Sequence, residues 1–334
     1  MKSEGTVLLT RKDVAALLTI DESIAAVERV FKLHGEGKTA TPGILGVHAG
    51  DGGFHIKAGL LDLDRSYFAA KINANFPENP QRLGLPTIQG LVVLFDGEFG
   101  SPLAVMDSIE ITIQRTGAAT AIAAKYLARS NSKTVTICGC GNQGRVSLWA
   151  LTKILPIERV WAYDHERSQA ERFATELGEE LHIDIKVVTD LETHVRQSDI
   201  CITCTPSKHP FLKRDFVAPG SFIAAVGADN AEKQELEATL FSDNKIVVDI
   251  LEQCAGIGEL HHALDAGLIT REDVYAELGE VIAGVQPGRT TSDEIIIFDS
   301  TGMALQDVVT AAAVYEKAMD EGAGTHINFA ELSM

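Results

Sequence analysis

The stretch Thr134–Gly144, TVTICGCGNQG, constrains the fold more than any other part of the chain. Val135–Cys138 has the make-up of a buried strand, and Gly139, Gly141 and Gly144 follow at G-x-G-x-x-G spacing. Arg145, Val146, Leu148, Trp149 and Leu151 continue as a helical pattern. A second strand pattern, Arg159–Tyr163, ends at Asp164, twenty residues past Gly144. Strand, glycines, helix, strand and terminal acid in this order describe a βαβ unit that binds a dinucleotide.

The residue types follow from that chemistry. Gly139 permits the tight turn out of the strand, Gly141 lets backbone N–H groups approach a pyrophosphate, and Gly144 lets helix and strand pack closely. The helix start then offers unpaired N–H donors and a positive dipole end to the phosphates. Asp164 accepts hydrogen bonds from a ribose diol and repels a 2′-phosphate, which favours NAD(H) over NADP(H). The plain alternative is a glycine-rich turn with no ligand, and the placement of Asp164 argues against it.

A chain of 334 residues has room for a second domain with its own core. The net charge of −18 and the lack of any Lys/Arg run argue against a nucleic acid partner. No apolar run reaches the roughly 18 residues of a membrane span, and Met1–Gly5 lacks the charged and apolar parts of a signal peptide. The five cysteines, an odd number, fit reduced thiols and a cytoplasmic location.

Ahead of the glycine motif, Thr10–Asp13 reads as a helix start, and Asp21 as the cap of a second helix. Gly46–Gly53 reads as a glycine-rich loop. Strand patterns follow at Phe54–Lys57, Tyr67–Ile72, Gly90–Phe95 and Pro102–Met106, with hairpin spacing that predicts an antiparallel or mixed sheet. Ile111–Arg129 is alanine-rich and helical. From Thr134 onward, strands at Thr134–Cys138, Arg159–Tyr163, Asp184–Val188, Ile200–Cys204, Ser221–Val226 and Lys245–Asp249 alternate with helical patterns, which predicts a doubly wound parallel sheet. Ile295–Phe298 adds a strand and Gly302–Met319 a helix; Glu321–Met334 reads as a loose polar tail.

Several residues outside the glycine motif bear on chemistry. Cys201 and Cys204 form a C-x-x-C inside a strand, where their side chains point to opposite faces, so buried thiols are expected and no metal. Asp229 follows the strand Ser221–Val226, at the edge where open α/β sheets bind ligands. It reads either as a general acid/base or as the N-cap of a helix starting near Ala231. Lys57, Lys71 and Arg115 gather near predicted strand ends and a helix, and suggest an anion site in an otherwise acidic protein. Asp299–Gly302 reads as a capping turn or as a lip of the cofactor cleft.

Gly84-Leu-Pro-Thr87, Arg115-Thr-Gly-Ala-Ala, the Gly139 motif with Gln143, Thr205-Pro-Ser, Val226-Gly-Ala-Asp229 through Lys233, Gly258-Glu-Leu and Phe298-Asp-Ser-Thr-Gly302 occur in this order along the chain. Together they resemble the ornithine cyclodeaminase/μ-crystallin family, which also holds archaeal-type alanine dehydrogenases and ketimine reductases. The resemblance implies an α/β chain: a Rossmann doubly wound domain at 129–302 and an α+β substrate and dimerisation domain at 1–128 plus 303–334. It implies a homodimer. It implies that Lys71, in Ala70-Lys-Ile-Asn, binds or polarises the substrate carboxylate. Arg115 would contact substrate and cofactor, and Asp229 would move the proton at the substrate nitrogen. Cofactor contacts fall on Thr87, Asn142, Gln143, Asp164, Thr205, Val226, Gly227 and Ser300, beside the three glycines. Lys233 and Thr301, within the matching segments, join Lys57 in the substrate-binding set.

Two departures from the family pattern matter. The cyclodeaminases and many relatives carry a carboxylate-clamping arginine in the segment corresponding roughly to Pro42–His48; here no arginine occurs between Arg29 and Arg65. Lys57 stands where ornithine cyclodeaminase has a glutamate for the substrate's side-chain amine, and a lysine repels an ammonium there. The expected function is therefore NAD(H)-dependent oxidation or reduction at the CH–NH bond of a small amino or imino acid. The alternatives are an ornithine or lysine cyclodeaminase with internally recycled NAD, and a non-catalytic μ-crystallin-like binding protein.

Overall fold

The structure, a computed structural model, describes residues 5–329. These divide into two compact units: the chain up to Val30, Gly37–Arg115 and the chain from Met303 form one, and Phe31–Glu36 with Thr116–Gly302 form the other. Among the described residues no helix is long and apolar enough to cross a membrane.

The first unit is built on a seven-stranded mixed sheet. Its order is Thr325–Ile327, Thr6–Leu9, Pro102–Asp107, Ile88–Asp96, Ser66–Asn75, Gly52–Asp62 and Gly43–Ala49. Neighbours run antiparallel except Thr6–Leu9 beside Pro102–Asp107. Two expectations are corrected here. Gly46–Gly53 is not a loop: strands Gly43–Ala49 and Gly52–Asp62 pair through it, and the glycines serve pairing at an exposed edge. The tail is not wholly loose, because Thr325–Ile327 pairs with Thr6–Leu9; its last residues lie outside those described.

Register sorts the strand residues onto two faces. Leu45, Ile56, Ile72 and Leu91 form one row across four strands. Leu45, Ile72 and Leu91 remain 56%, 41% and 52% exposed, and Val47 and Phe54 beside them are exposed too. The alternate row, Lys57, Lys71, Val92 and Met106, is buried. On that buried side lies the helix Ala304–Glu321, close enough that Leu305 would block any side chain at Gly59. Its apolar stripe, Leu305, Val308 and Ala312, is buried, and Gly322 in the left-handed region ends it.

The helix Ile20–Gly35 shows a third correction. Thr19, not Asp21, caps it: the Glu22 N–H donates to Thr19 Oγ1 (3.3 Å), and the Thr19 N–H donates back to the Glu22 carboxylate (2.9 Å). This reciprocal pair outcompetes a carboxylate placed two positions too late.

The second unit carries eight parallel strands. Their order is Ala276–Glu277, Lys245–Val248, Ile296–Asp299, Phe222–Ala225, Ile200–Thr203, Thr134–Cys138, Arg159–Tyr163 and Asp184–Val187. The chain winds outward in both directions from the neighbours Thr134–Cys138 and Ile200–Thr203. Their C-terminal ends form the switch point of a doubly wound sheet, where such folds bind ligands.

Candidate functional site

At the switch point the glycine loop has the form its spacing predicts. Gly139 has φ of +103°, and a side chain there would lie 2.8 Å from the Cys204 carbonyl oxygen. A side chain at Gly144 would collide with the Gly139 carbonyl oxygen. Gly141, the N-cap of the helix Asn142–Thr152, faces no atom within 4 Å, so a methyl group there would fill only open space. Beside it, Gln143 Oε1 is buried with no hydrogen-bond partner among the described residues. Asp164 accepts the Cys140 N–H (2.7 Å) and the Glu166 N–H (2.9 Å), which fixes its carboxylate at the end of the second strand. Open space over a helix start, a spare acceptor and a fixed acid are what a dinucleotide requires.

Thr205 and Gly227 lie on loops that follow adjacent strands, and one side chain joins them. Glu235 accepts the Thr205 N–H (2.6 Å) and hydroxyl (2.7 Å) on one oxygen, and the Gly227 N–H (3.0 Å) on the other. Thr205 therefore spends both of these donors inside the protein. Ser300 and Thr301 donate their hydroxyls to the buried Asp249, each at 3.1 Å, and the Gly302 N–H does so at 2.5 Å. The Asp299–Gly302 turn does not cap the helix that follows, whose N-cap is Met303; Asp299 instead accepts the Leu260 N–H (2.9 Å) in the first turn of the helix Glu259–Asp265. Asp299 is itself fully buried, and burial pushes its carboxyl up to about 7.

Asp229 is not a helix N-cap, because no helix forms near Ala231. It pairs instead with Lys233 Nζ at 2.7 Å, and the same ammonium donates to the Gly227 carbonyl at 3.2 Å. Lys233 is accordingly committed to its own loop. His262 Nε2 lies 2.8 Å from the Lys233 carbonyl oxygen and supports the loop from behind.

In the first unit, Lys57 and Lys71 face each other across two antiparallel strands. Like charges directly opposite destabilise a sheet, so the pairing needs compensation. Lys71, Arg115 and Lys57 are all buried, and so is Asp307. Lys71 Nζ donates to Asp307 Oδ1 at 2.7 Å and to Thr112 Oγ1 at 3.3 Å. Arg115 Nε stands 3.3 Å from the same carboxylate oxygen, and Nη1 donates to Gln306 Oε1 at 3.1 Å. Burial pulls the Lys71 ammonium down to about 7, Asp307 resists, and Arg115 and Lys57 add to the lowering. Burial alone would raise the Asp307 carboxyl, yet Lys71, Arg115 and Lys57 outweigh it and hold it low. Asp307 Oδ2 and the Gln306 amide nitrogen are buried without a partner among the described residues.

Lys57, Lys71 and Arg115 therefore come together in one unit, and Asp229 and Lys233 sit on one loop of the other. Thr87, in the first unit, accepts the Phe76 N–H through its carbonyl. Asn142 is exposed at the helix start, and Val226 is half-buried beside Gly227. Asp307, Glu235 and Asp249 escape a reading of the sequence. Asp307 sits in the first turn of a helix, where an acid is ordinary. Its one signal is the apolar stripe around it, Leu305, Val308 and Val309.

A parallel sheet with a phosphate-binding turn, and a separate unit with buried cations, define a nucleotide-dependent enzyme that handles a small organic acid. The chain belongs to the ornithine cyclodeaminase/mu-crystallin family, whose model matches residues 4–322. An alanine dehydrogenase from Archaeoglobus fulgidus is 41% identical over 324 residues, covering 97% of this chain and 98% of its own length. The structure of an archaeal alanine dehydrogenase dimer with bound NAD superposes with a TM-score of 0.92 at 42% identity, covering 97% of this chain and 99% of that one. The Δ1-pyrroline-2-carboxylate reductase of Thermococcus litoralis, in complex with NADH and L-proline, has a TM-score of 0.91 at 35% identity, with 96% and 100% covered.

Proposed function

We propose that this chain is an NAD(H)-dependent oxidoreductase acting on the CH–NH bond of a small amino or imino acid. The observation that carries the reading is the charge of the first unit. Two buried cations, Lys71 and Arg115, converge on one oxygen of one buried carboxylate, Asp307, and buried Lys57 lies near enough to lower that carboxyl further. Excess buried charge of one sign is expensive, by several kcal/mol per ion on the order of magnitude of buried charges, unless a bound anion offsets it. A substrate carboxylate is such an anion.

In this reading Lys71 and Arg115 anchor the acid. Lys57 repels a substrate ammonium and attracts a second anionic group, which disfavours diamino acids. Asp229, held by Lys233, takes or gives the proton at the substrate nitrogen. The glycine loop, Asn142, Gln143 and the loops at Thr205, Val226–Gly227 and Ser300 hold the nucleotide. Thr301, tied to Asp249, lines the same lip. When bound, NAD supplies a nicotinamide ring that accepts or donates hydride. Asp164 favours NAD over NADP because a 2′-phosphate would meet its fixed carboxylate.

The molecule works as a homodimer in the cytoplasm. The exposed apolar row Leu45, Ile72 and Leu91 supports the dimer, since apolar faces of this kind mark protein interfaces. The test of function is a screen of amino and imino acids, followed through NADH absorbance. Stoichiometric NADH change with an acid of this class is expected. Ammonia release from ornithine or lysine without net NADH change would favour a cyclodeaminase, and NADH-independent ligand binding with no turnover a μ-crystallin-like role.

A further inference from the structure

The reading above gives no role to the fully buried Glu235. Glu235 has 0% exposure and no ion-pair partner among the described residues. Three donors converge on its two oxygens: the Thr205 N–H and hydroxyl on one, the Gly227 N–H on the other. The residue's backbone is immobilised separately. Its N–H donates to Glu259 Oε1 (2.7 Å), and its carbonyl accepts the N–H groups of Phe211 (2.9 Å) and Leu212 (3.0 Å). Glu259, buried too, also accepts the Leu236 N–H at 3.0 Å. Glu235 is thus the fixed end, and the two loops are what it fixes.

The loop Gly227–Glu235 is closed by this contact. Gly227 donates to Glu235, Lys233 donates to the Gly227 carbonyl, and Lys233 pairs with Asp229. Asp229 therefore hangs from Glu235 through three contacts. Gly227 is squeezed as well: a side chain there would lie 2.6 Å from the Thr205 carbonyl oxygen. A neutral amide cannot replace the carboxylate. Glutamine has one acceptor oxygen, and its NH2 would oppose the Gly227 N–H. Burial raises the carboxyl of Glu235, and Thr205, Thr203 and Gly227 only partly pull it back.

We propose that Glu235 is the positioning residue of this enzyme, holding the Thr205 and Gly227 loops together and, through Lys233, setting the place of Asp229. The proposal rests on the functional reading given above. The test compares wild type with Glu235→Gln, Thr205→Val and the double variant, each as the full chain. NADH affinity is measured by fluorescence titration, the pH profile of kcat and KM by steady-state assay, and folding by thermal melting. Glu235→Gln is expected to weaken NADH about tenfold, to lower kcat more than it changes the substrate KM, and to shift the limb of the profile set by Asp229. Thr205→Val, which keeps the carboxylate, gives smaller changes in the same direction and adds little in the Glu235→Gln background. If Glu235→Gln does not fold, Thr205→Val alone must show the shifted limb and weaker NADH. Wild-type values of NADH affinity, kcat and pH profile in a variant that merely melts earlier would overturn the proposal. A wild-type protein that binds no NADH would instead overturn the functional reading, and this inference with it.

Discussion

Gly141 and Gly144 make separable predictions about the nucleotide site. Gly141 has φ −80° and ψ −161°, backbone that any residue adopts, and its added methyl would touch nothing within 4 Å. Folding should lose only the small advantage of glycine over alanine at an N-cap, about 0.5 kcal/mol. That is about 2 °C or less in melting temperature for a chain of this size. The methyl does stand where backbone N–H groups would meet a pyrophosphate. Losing one charge-assisted hydrogen bond costs about 1.5–3 kcal/mol, which is roughly a tenfold to hundredfold rise in Kd. Gly144→Ala differs, because its methyl would run into the Gly139 carbonyl oxygen and force backbone to move. Overpacking of this kind costs on the order of 1–3 kcal/mol, so stability and binding fall together. The assay is NADH fluorescence titration beside a thermal melt for each variant. Gly141→Ala with unchanged melting and wild-type NADH affinity would refute the placement of the phosphates over this helix start.

Further predictions concern single groups. Asp164→Asn keeps an acceptor for the Cys140 N–H but drops the charge, so the ratio of kcat/KM for NADPH over NADH should rise about tenfold; an unchanged ratio removes Asp164 from selectivity. Lys71, pulled down to about 7, is cationic below that pH and neutral above it, so kcat/KM for an acid substrate should fall as pH rises through about 7. Asp307→Asn removes the anion that keeps this proton on and should move the fall to lower pH; a fall that stays put assigns it to another group. Leu91→Asp puts a charge into the exposed apolar row and should yield monomers by sedimentation, whereas a dimer of unchanged stability would place the interface elsewhere.

How much was legible from residues alone differs between the two units. Thr134–Cys138 and Arg159–Tyr163 match their expected bounds residue for residue, because both are short runs rich in β-branched and aromatic residues. Gly43–Ala49 hides, since an exposed edge strand with glycines at Gly43 and Gly46 has neither alternation nor a buried run. Ala276–Glu277 and Thr325–Ile327 are too short to carry any pattern and owe their form to a neighbour. Within the site, Lys57 and Lys71 stood out as cations in strand patterns. Asp307, Glu235 and Asp249 did not, because a carboxylate in a first helical turn or a loop looks solvated until distant donors close on it. The bond from Lys71 to Asp307 spans 236 residues, and no local pattern announces it.

That separation has a consequence for how the protein is made. During synthesis Lys57, Lys71 and Arg115 leave the ribosome long before the helix that supplies their counter-ion, while the intervening parallel sheet has every strand it needs. The nucleotide unit can mature first; the N-terminal sheet must wait with its cations wet and its face toward Ala304–Glu321 uncovered. A nascent chain stopped short of Met303 should therefore hold NADH-binding machinery without a finished acid pocket.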